Sequence, residues 1–177
     1  KGDFVLTDSG KDLALGTWAE IIDNCLRFEL NTRLLLNRIA AAMEKAAVSE
    51  ELFVRTAEIL QQLEQYVNEV AFSLDCDIVC ERCTPGSVFK AVGLSLRDCY
   101  EDPLERLADY MELVRELDRD RLFILVNMRS FFEDDRLELF LETVAAHGYR
   151  VLLMDGIDRK KLSSERRITI DNDLCEF

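Results

Sequence analysis

The chain has 177 residues, enough for one domain or two small lobes, and 49% of them are apolar, so a true core is expected rather than disorder. Thirty-five acids against 22 bases leave a net charge of −13, which repels nucleic acid and anionic membranes on average but permits a locally basic groove. Seven Gly and two Pro argue against a sandwich rich in turns, and no apolar run is long enough to cross a bilayer.

The chain opens at Lys1 and reads as a strand almost at once, which suggests a start inside a domain with an N-terminal piece absent. Asp3 to Leu6 and Asp12 to Leu15 read as short strands around the turn-forming Thr7-Asp8-Ser9-Gly10-Lys11, a hairpin pattern. Residues 21–30 are mixed in pattern. Asn31 stands as a good N-cap for a helix from Thr32 to about Val48, where Leu35, Leu36, Ile39, Ala42, Met43 and Ala46 recur at helical spacing. Ser49, followed by Glu50 and Glu51, is expected to cap a second helix running to about Phe72.

Thr84-Pro85 marks a further helix start and Gly93 its end. Asp102-Pro103-Leu104-Glu105 resembles a capping box, opening a helix to about Leu117. The period then changes. Arg121 to Asn127 is a continuous apolar run of the kind buried on both faces of a parallel sheet. Asp134 to Ala146 reads as a helix stopped at Gly148, Tyr149 to Met154 as a second buried strand, and Arg167 to Ile170 as a third. Strand, helix, strand at these lengths is a crossover unit. The fold expected is α/β: a head formed by residues 1–30 and 118–177, with a mostly parallel sheet and a hairpin, and an inserted α-helical leg, residues 31–117.

Catalytic signals are weak. The single histidine, His147, sits in the last turn before Gly148, where a donor complements the helix dipole. Val151-Leu-Leu-Met-Asp155 has the shape of a strand ending in a magnesium-binding aspartate, but its partner motif GxxxxGK[ST] does not occur in these residues. A nucleotide hydrolase whose phosphate loop lies further upstream is the rival reading. Six cysteines without a secretory signal read as reduced thiols; Cys76, Cys80, Cys83 and Cys99 could supply four thiolates to zinc, but no second CxxC is present and buried or incidental thiols are the plainer reading.

Two other groups carry chemistry. Asp75, Asp77 and Glu81 lie where a long helix gives way to irregular backbone, and oxygen donors on such a segment suit calcium; a solvated acidic loop is the plainer reading. Arg159, Lys160, Lys161, Arg166 and Arg167 form one basic cluster, and Arg33, Arg38 and Lys45 a sparser row on the first long helix. Phosphate contact is their functional reading and a solvated face the plain one.

Several segments together resemble one family. Phe28-Glu-Leu-Asn-Thr-Arg33 leading into Leu35-Leu-Asn-Arg-Ile39, Leu107-Ala-Asp-Tyr-Met111, Leu122-Phe-Ile-Leu-Val-Asn-Met-Arg-Ser130 and Ile170-Asp-Asn-Asp-Leu-Cys-Glu176 are similar to the Csn2 family of type II-A CRISPR-associated proteins. The resemblance implies a non-enzymatic, cytoplasmic protein of spacer acquisition that forms homotetrameric rings, binds calcium and threads onto double-stranded DNA ends. It implies a P-loop-ATPase-like head without a working nucleotide site, and other CRISPR adaptation proteins and the effector nuclease as partners. Arg33, Arg38, Lys45, Lys160 and Lys161 would then face DNA, and Asp75, Asp77 and Glu81 would hold Ca2+. Two departures stand out. Family members usually open with an extra strand and helix, and Arg82 and Cys83 stand where further acids are often found. An adaptor that binds only protein is the third reading.

Overall fold

The computed structural model describes residues 6–8, 11–13, 15–74, 78–79, 81–118, 121–170 and 173. In chain order the elements are β1 (Leu6–Asp8), β2 (Lys11–Leu13), the single turn α1 (Leu15–Trp18), β3 (Ala19–Ile22), α2 (Arg33–Ala47), α3 (Phe53–Phe72), α4 (Pro85–Val92), α5 (Pro103–Leu117), β4 (Leu122–Val126), a 3-10 turn at Met128–Ser130, α6 (Asp134–Ala146) and β5 (Arg150–Met154). They divide into two compact units, residues 1–29 with 99–177, and residues 30–98. Helix α5, expected in the leg, groups with the sheet-bearing unit because Leu104, Leu107, Met111 and Val114 are buried there.

The first unit is mixed α/β. A small parallel sheet has the order β3-β4-β5, and β1 and β2 form the expected antiparallel hairpin, shifted so that Asp8 pairs with Lys11. Strand β3, which the sequence pattern did not reveal, pairs Ile22 with Leu125 on β4, and Leu125 pairs with Leu153 on β5. Register puts Ile22, Phe123 and Leu125 on one face, where they are 4%, 1% and 0% exposed. With Leu107 and Met111 of α5 and Leu137 and Phe140 of α6 they form the core of this unit.

The other face differs from expectation. Ile21, Leu152 and Met154 are about half exposed, so β5 is not a second fully buried strand; its residues alternate between exposed and half-buried because it is the edge of the sheet. Arg167 to Ile170 forms no strand either. Its Arg167 side chain is tied instead to Glu165, Asp158 and the Arg159 carbonyl, which holds the backbone in an irregular path.

Helix ends follow side-chain chemistry. Asp102 accepts from the Leu104 amide at 2.9 Å with Pro103 next, opening α5 as its sequence predicts. Helix α6 stops at Gly148 in a left-handed conformation, φ +69°, which glycine adopts without the penalty a side chain incurs.

In the second unit, Thr32 rather than Asn31 caps α2, its Oγ1 accepting from the Leu35 amide at 3.3 Å. The Asn31 amide group is occupied elsewhere: it accepts from the Leu96 amide at 2.7 Å and donates to the Leu96 carbonyl at 3.1 Å. Ser49 does not cap α3; its carbonyl accepts from Phe53, and the helix begins at that residue. Thr84 and Ser87 form a reciprocal capping box at α4, and Gly93 closes it as expected. Gly86 of α4 faces α2, and a Cβ there would lie 2.1 Å from Glu44 Oε1, so this exposed side chain would have to move aside. Helix α3 carries no buried residue. Among the described residues, no helix is long and apolar enough to cross a membrane.

Candidate nucleic-acid interface

Strand β4 ends at Asn127, which takes the left-handed conformation φ 55°, ψ 32° and turns the chain into Met128–Ser130. That turn drives Arg129 inward. It is 4% exposed, one of two buried charged residues in the described structure, the other being Arg121. Burying a guanidinium is tolerated only when it is paired. Arg129 Nη2 donates to Glu165 Oε2 at 3.0 Å, and its Nε lies 4.0 Å from Asp134 Oδ1.

From Glu165 the pairing continues along the segment after β5. Glu165 Oε1 accepts from Arg167 Nε at 3.0 Å and lies 2.7 Å from its Nη2. Arg167 Nη1 donates to Asp158 Oδ1 at 2.8 Å and also to the Arg159 carbonyl. Two further anchors hold the same segment: Leu162 is buried, and the Ser163 amide donates to Glu138 Oε1 on α6 at 3.0 Å. Between these anchors Arg159, Lys160, Lys161 and Arg166 are exposed and make no ion pair with another described residue. Arg167, grouped from the sequence with these four bases, belongs to the scaffold.

The second basic group does not form a single row. At 3.6 residues per turn, Arg38 and Lys45 share a face of α2, whereas Arg33 lies about 140° round the helix from Arg38. Arg33 and Lys45 are exposed and Arg38 is half-buried.

Of the calcium candidates, Asp75 and Asp77 lie outside the described residues, as do Cys76 and Cys80. Glu81 is exposed on the irregular stretch leading to α4. The next residues rest on α3, where the Cys83 amide donates to Glu64 Oε1 at 2.8 Å. Among the described residues, no group of three or more His, Cys, Asp or Glu is arranged to hold a metal ion. Asp155, at the end of β5, is exposed.

His147 serves structure. It terminates α6, its Nδ1 lies 2.8 Å from the Thr143 carbonyl, and its ring stacks on Tyr149. Nearby a cavity of about 120 Å³ is lined by Arg115, Asp118, Arg121 and Tyr149 among others. It is smaller than the roughly 300–1,000 Å³ typical of ligand pockets, and its buried guanidinium is already engaged. Arg121 donates to the Gly16 carbonyl at 2.8 Å and pairs with Asp118 at 2.9 Å and Glu20 at 3.6 Å. Burial, aided by the Glu112 carboxylate, pushes the Tyr149 hydroxyl above its usual range.

A family model for CRISPR-associated protein (Cas_Csn2) matches residues 1–174. The chain belongs to the Csn2 family. No curated protein matches it. Within this Csn2 chain, the segment Leu122 to Ser130, which carries the resemblance in sequence, is the central strand together with the left-handed turn that buries Arg129.

Proposed function

We propose that this Csn2-family chain is a non-enzymatic, cytoplasmic subunit of CRISPR spacer acquisition that binds double-stranded DNA ends as a calcium-dependent homotetrameric ring. The observation that carries the reading is the exposed run of Arg159, Lys160, Lys161 and Arg166 on a chain whose net charge is −13. Surplus cations on so acidic a protein suit a phosphate backbone, and a ring gathers a few per subunit into one continuous lining. Contacts of this kind position DNA without reading its bases.

Arg38 and Lys45, which share a face of α2, are the second proposed contact, with Arg33 flanking them. Asp75, Asp77 and Glu81 are the proposed calcium ligands, and carboxylate oxygens fit that hard cation. A P-loop-ATPase-like ancestry for the head is in keeping with the parallel order β3-β4-β5. Docking on other adaptation proteins and the effector nuclease is part of the same proposal.

The test is a gel shift of linear and closed-circular duplexes of equal length at fixed salt, with calcium or a chelator. A shift of linear DNA alone, and only with calcium, supports a ring that threads onto an end. Equal shifts of both forms would sink the threading model. Replacing Lys160 and Lys161 with glutamine should flatten the log–log salt dependence by about 2, near 0.9 per lost phosphate contact.

A further inference from the structure

We infer that Glu165 and Arg129 are positioning residues for the cation-bearing segment 158–167: an acid placed among the bases so that DNA meets a pre-shaped surface. The inference rests on the DNA reading above. It starts from an oddity of charge. A segment selected only for positive potential gains nothing from Glu165 and Asp158, each of which cancels one of its own cations. Both acids are instead placed where they tie the segment down.

The tie has a direction. Arg129 is fixed by the turn after the central strand β4, the most buried strand of the sheet. It holds Glu165 at 3.0 Å, and Glu165, 14% exposed, holds Arg167 through both of its remaining contacts. Arg167 reaches back across the segment to Asp158 at 2.8 Å and to the Arg159 carbonyl. The two ends of the segment are thus joined to each other and to the core by one continuous run of charge-assisted hydrogen bonds, the strongest kind available to side chains. Leu162 and the Ser163–Glu138 bond fix its middle. What is left outward is Arg159, Lys160, Lys161 and Arg166.

Pre-ordering matters because a loose segment must be ordered when it binds. Ordering even one or two backbone residues at that moment lowers affinity about tenfold or more.

Charge and positioning predict opposite signs, and this makes the test decisive. Glu165→Gln and Asp158→Asn each make the segment more positive by one. If these acids matter only as charges, both variants bind DNA more tightly. If they position the cations, both bind more weakly, by about tenfold for Glu165→Gln, although every cation is still present. The experiment measures binding of a fluorescent linear duplex to the intact chain, at a temperature where circular dichroism shows each variant folded. It is paired with the rate of tryptic cleavage after Arg159, Lys160 and Lys161. Weaker binding with faster cleavage is the expected result. Unchanged or tighter binding by Glu165→Gln overturns the inference. Should Glu165→Gln fail to fold, Asp158→Asn decides alone, since the Asp158 side chain is 77% exposed and its loss does not open the core. If the unaltered chain binds no duplex, the DNA reading fails and the inference falls with it; if it binds and the variants bind no worse, only the inference fails.

Discussion

Replacing Asn127 tests whether the end of the central strand stores conformational strain. Its φ of 55° and ψ of 32° lie in the left-handed region, which costs an L-residue about 1–2 kcal/mol, less for asparagine and almost nothing for glycine. Among the described residues its hydrogen bonds are all main-chain: the amide donates to the Met154 carbonyl at 2.8 Å, and its carbonyl accepts from the Ser130 amide at 3.0 Å. Substitution therefore alters conformational preference and leaves these bonds in place. Asn127→Gly relieves the residual strain but adds about 0.4–1 kcal/mol of unfolded-state entropy, so it should fall within about 0.5 kcal/mol of the native chain. Asn127→Ala should cost about 1 kcal/mol and Asn127→Val about 2, because a β-branched residue is least tolerated there. Urea titration followed by the fluorescence of the single tryptophan, Trp18, reads the series. With a slope of roughly 2 kcal/mol per molar, the alanine variant moves the midpoint down by about 0.5 M. An alanine variant as stable as the glycine one, or a valine variant no worse than alanine, would refute the reasoning.

Further outcomes follow from the core and from its ionisable groups. Leu125→Ala empties a fully buried position of the central strand and should cost about 3–5 kcal/mol, much of a typical domain's stability, by the same urea assay. Cys99 is exposed while Cys25 is 0% exposed, and burial raises the Cys25 thiol above its usual range; timed alkylation read by mass spectrometry should label Cys99 long before Cys25, and equal rates would contradict the packing. Alkaline pH should weaken the fold. Burial raises the Tyr149 hydroxyl, and an Asp109 hydrogen bond followed by burial raises that of Tyr100. The folded chain holds these protons more tightly than the unfolded one. Their contribution is therefore complete below about pH 10, the usual tyrosine value, and is lost as pH rises through the folded values. Midpoints measured from pH 8 to 11 should fall at the top of that range, and fall less in Tyr149→Phe.

Most helices could be read from the sequence because their ends are chemical. Thr84-Pro85, Asp102-Pro103, Gly93 and Gly148 each fix a boundary through a capping oxygen, a missing amide or a left-handed turn. Strand β4 could be read from its unbroken apolar run. Strand β3 could not, because Glu20 interrupts it, and the partners that make Glu20 tolerable, Arg121 and Tyr110, are remote in sequence. The exposure of β5 was equally hidden, since an apolar run does not say whether its strand is central or at an edge. Asn31 and Thr32 are both good caps, and only the position of Leu96 decides which one is released to cap α2. At the candidate site the cations were visible as composition, but the division between free and engaged ones was not. That division depends on Arg129, 36 positions before Glu165. The one local hint was a lone acid set among bases.

The paired hydrogen bonds of Asn31 with Leu96 have a consequence for the length of the second unit. These residues are 65 positions apart, yet the chain leaves and returns at adjoining points. Closing a flexible loop of that size costs roughly 4 kcal/mol in chain entropy, but doubling it adds only about 0.6 kcal/mol. Residues can therefore be gained in the connections between the helices of this unit at little cost in closure, whereas a change within α2 or α4 would shift the faces they pack on each other. The connections are free to vary in length; the Asn31–Leu96 clasp is not.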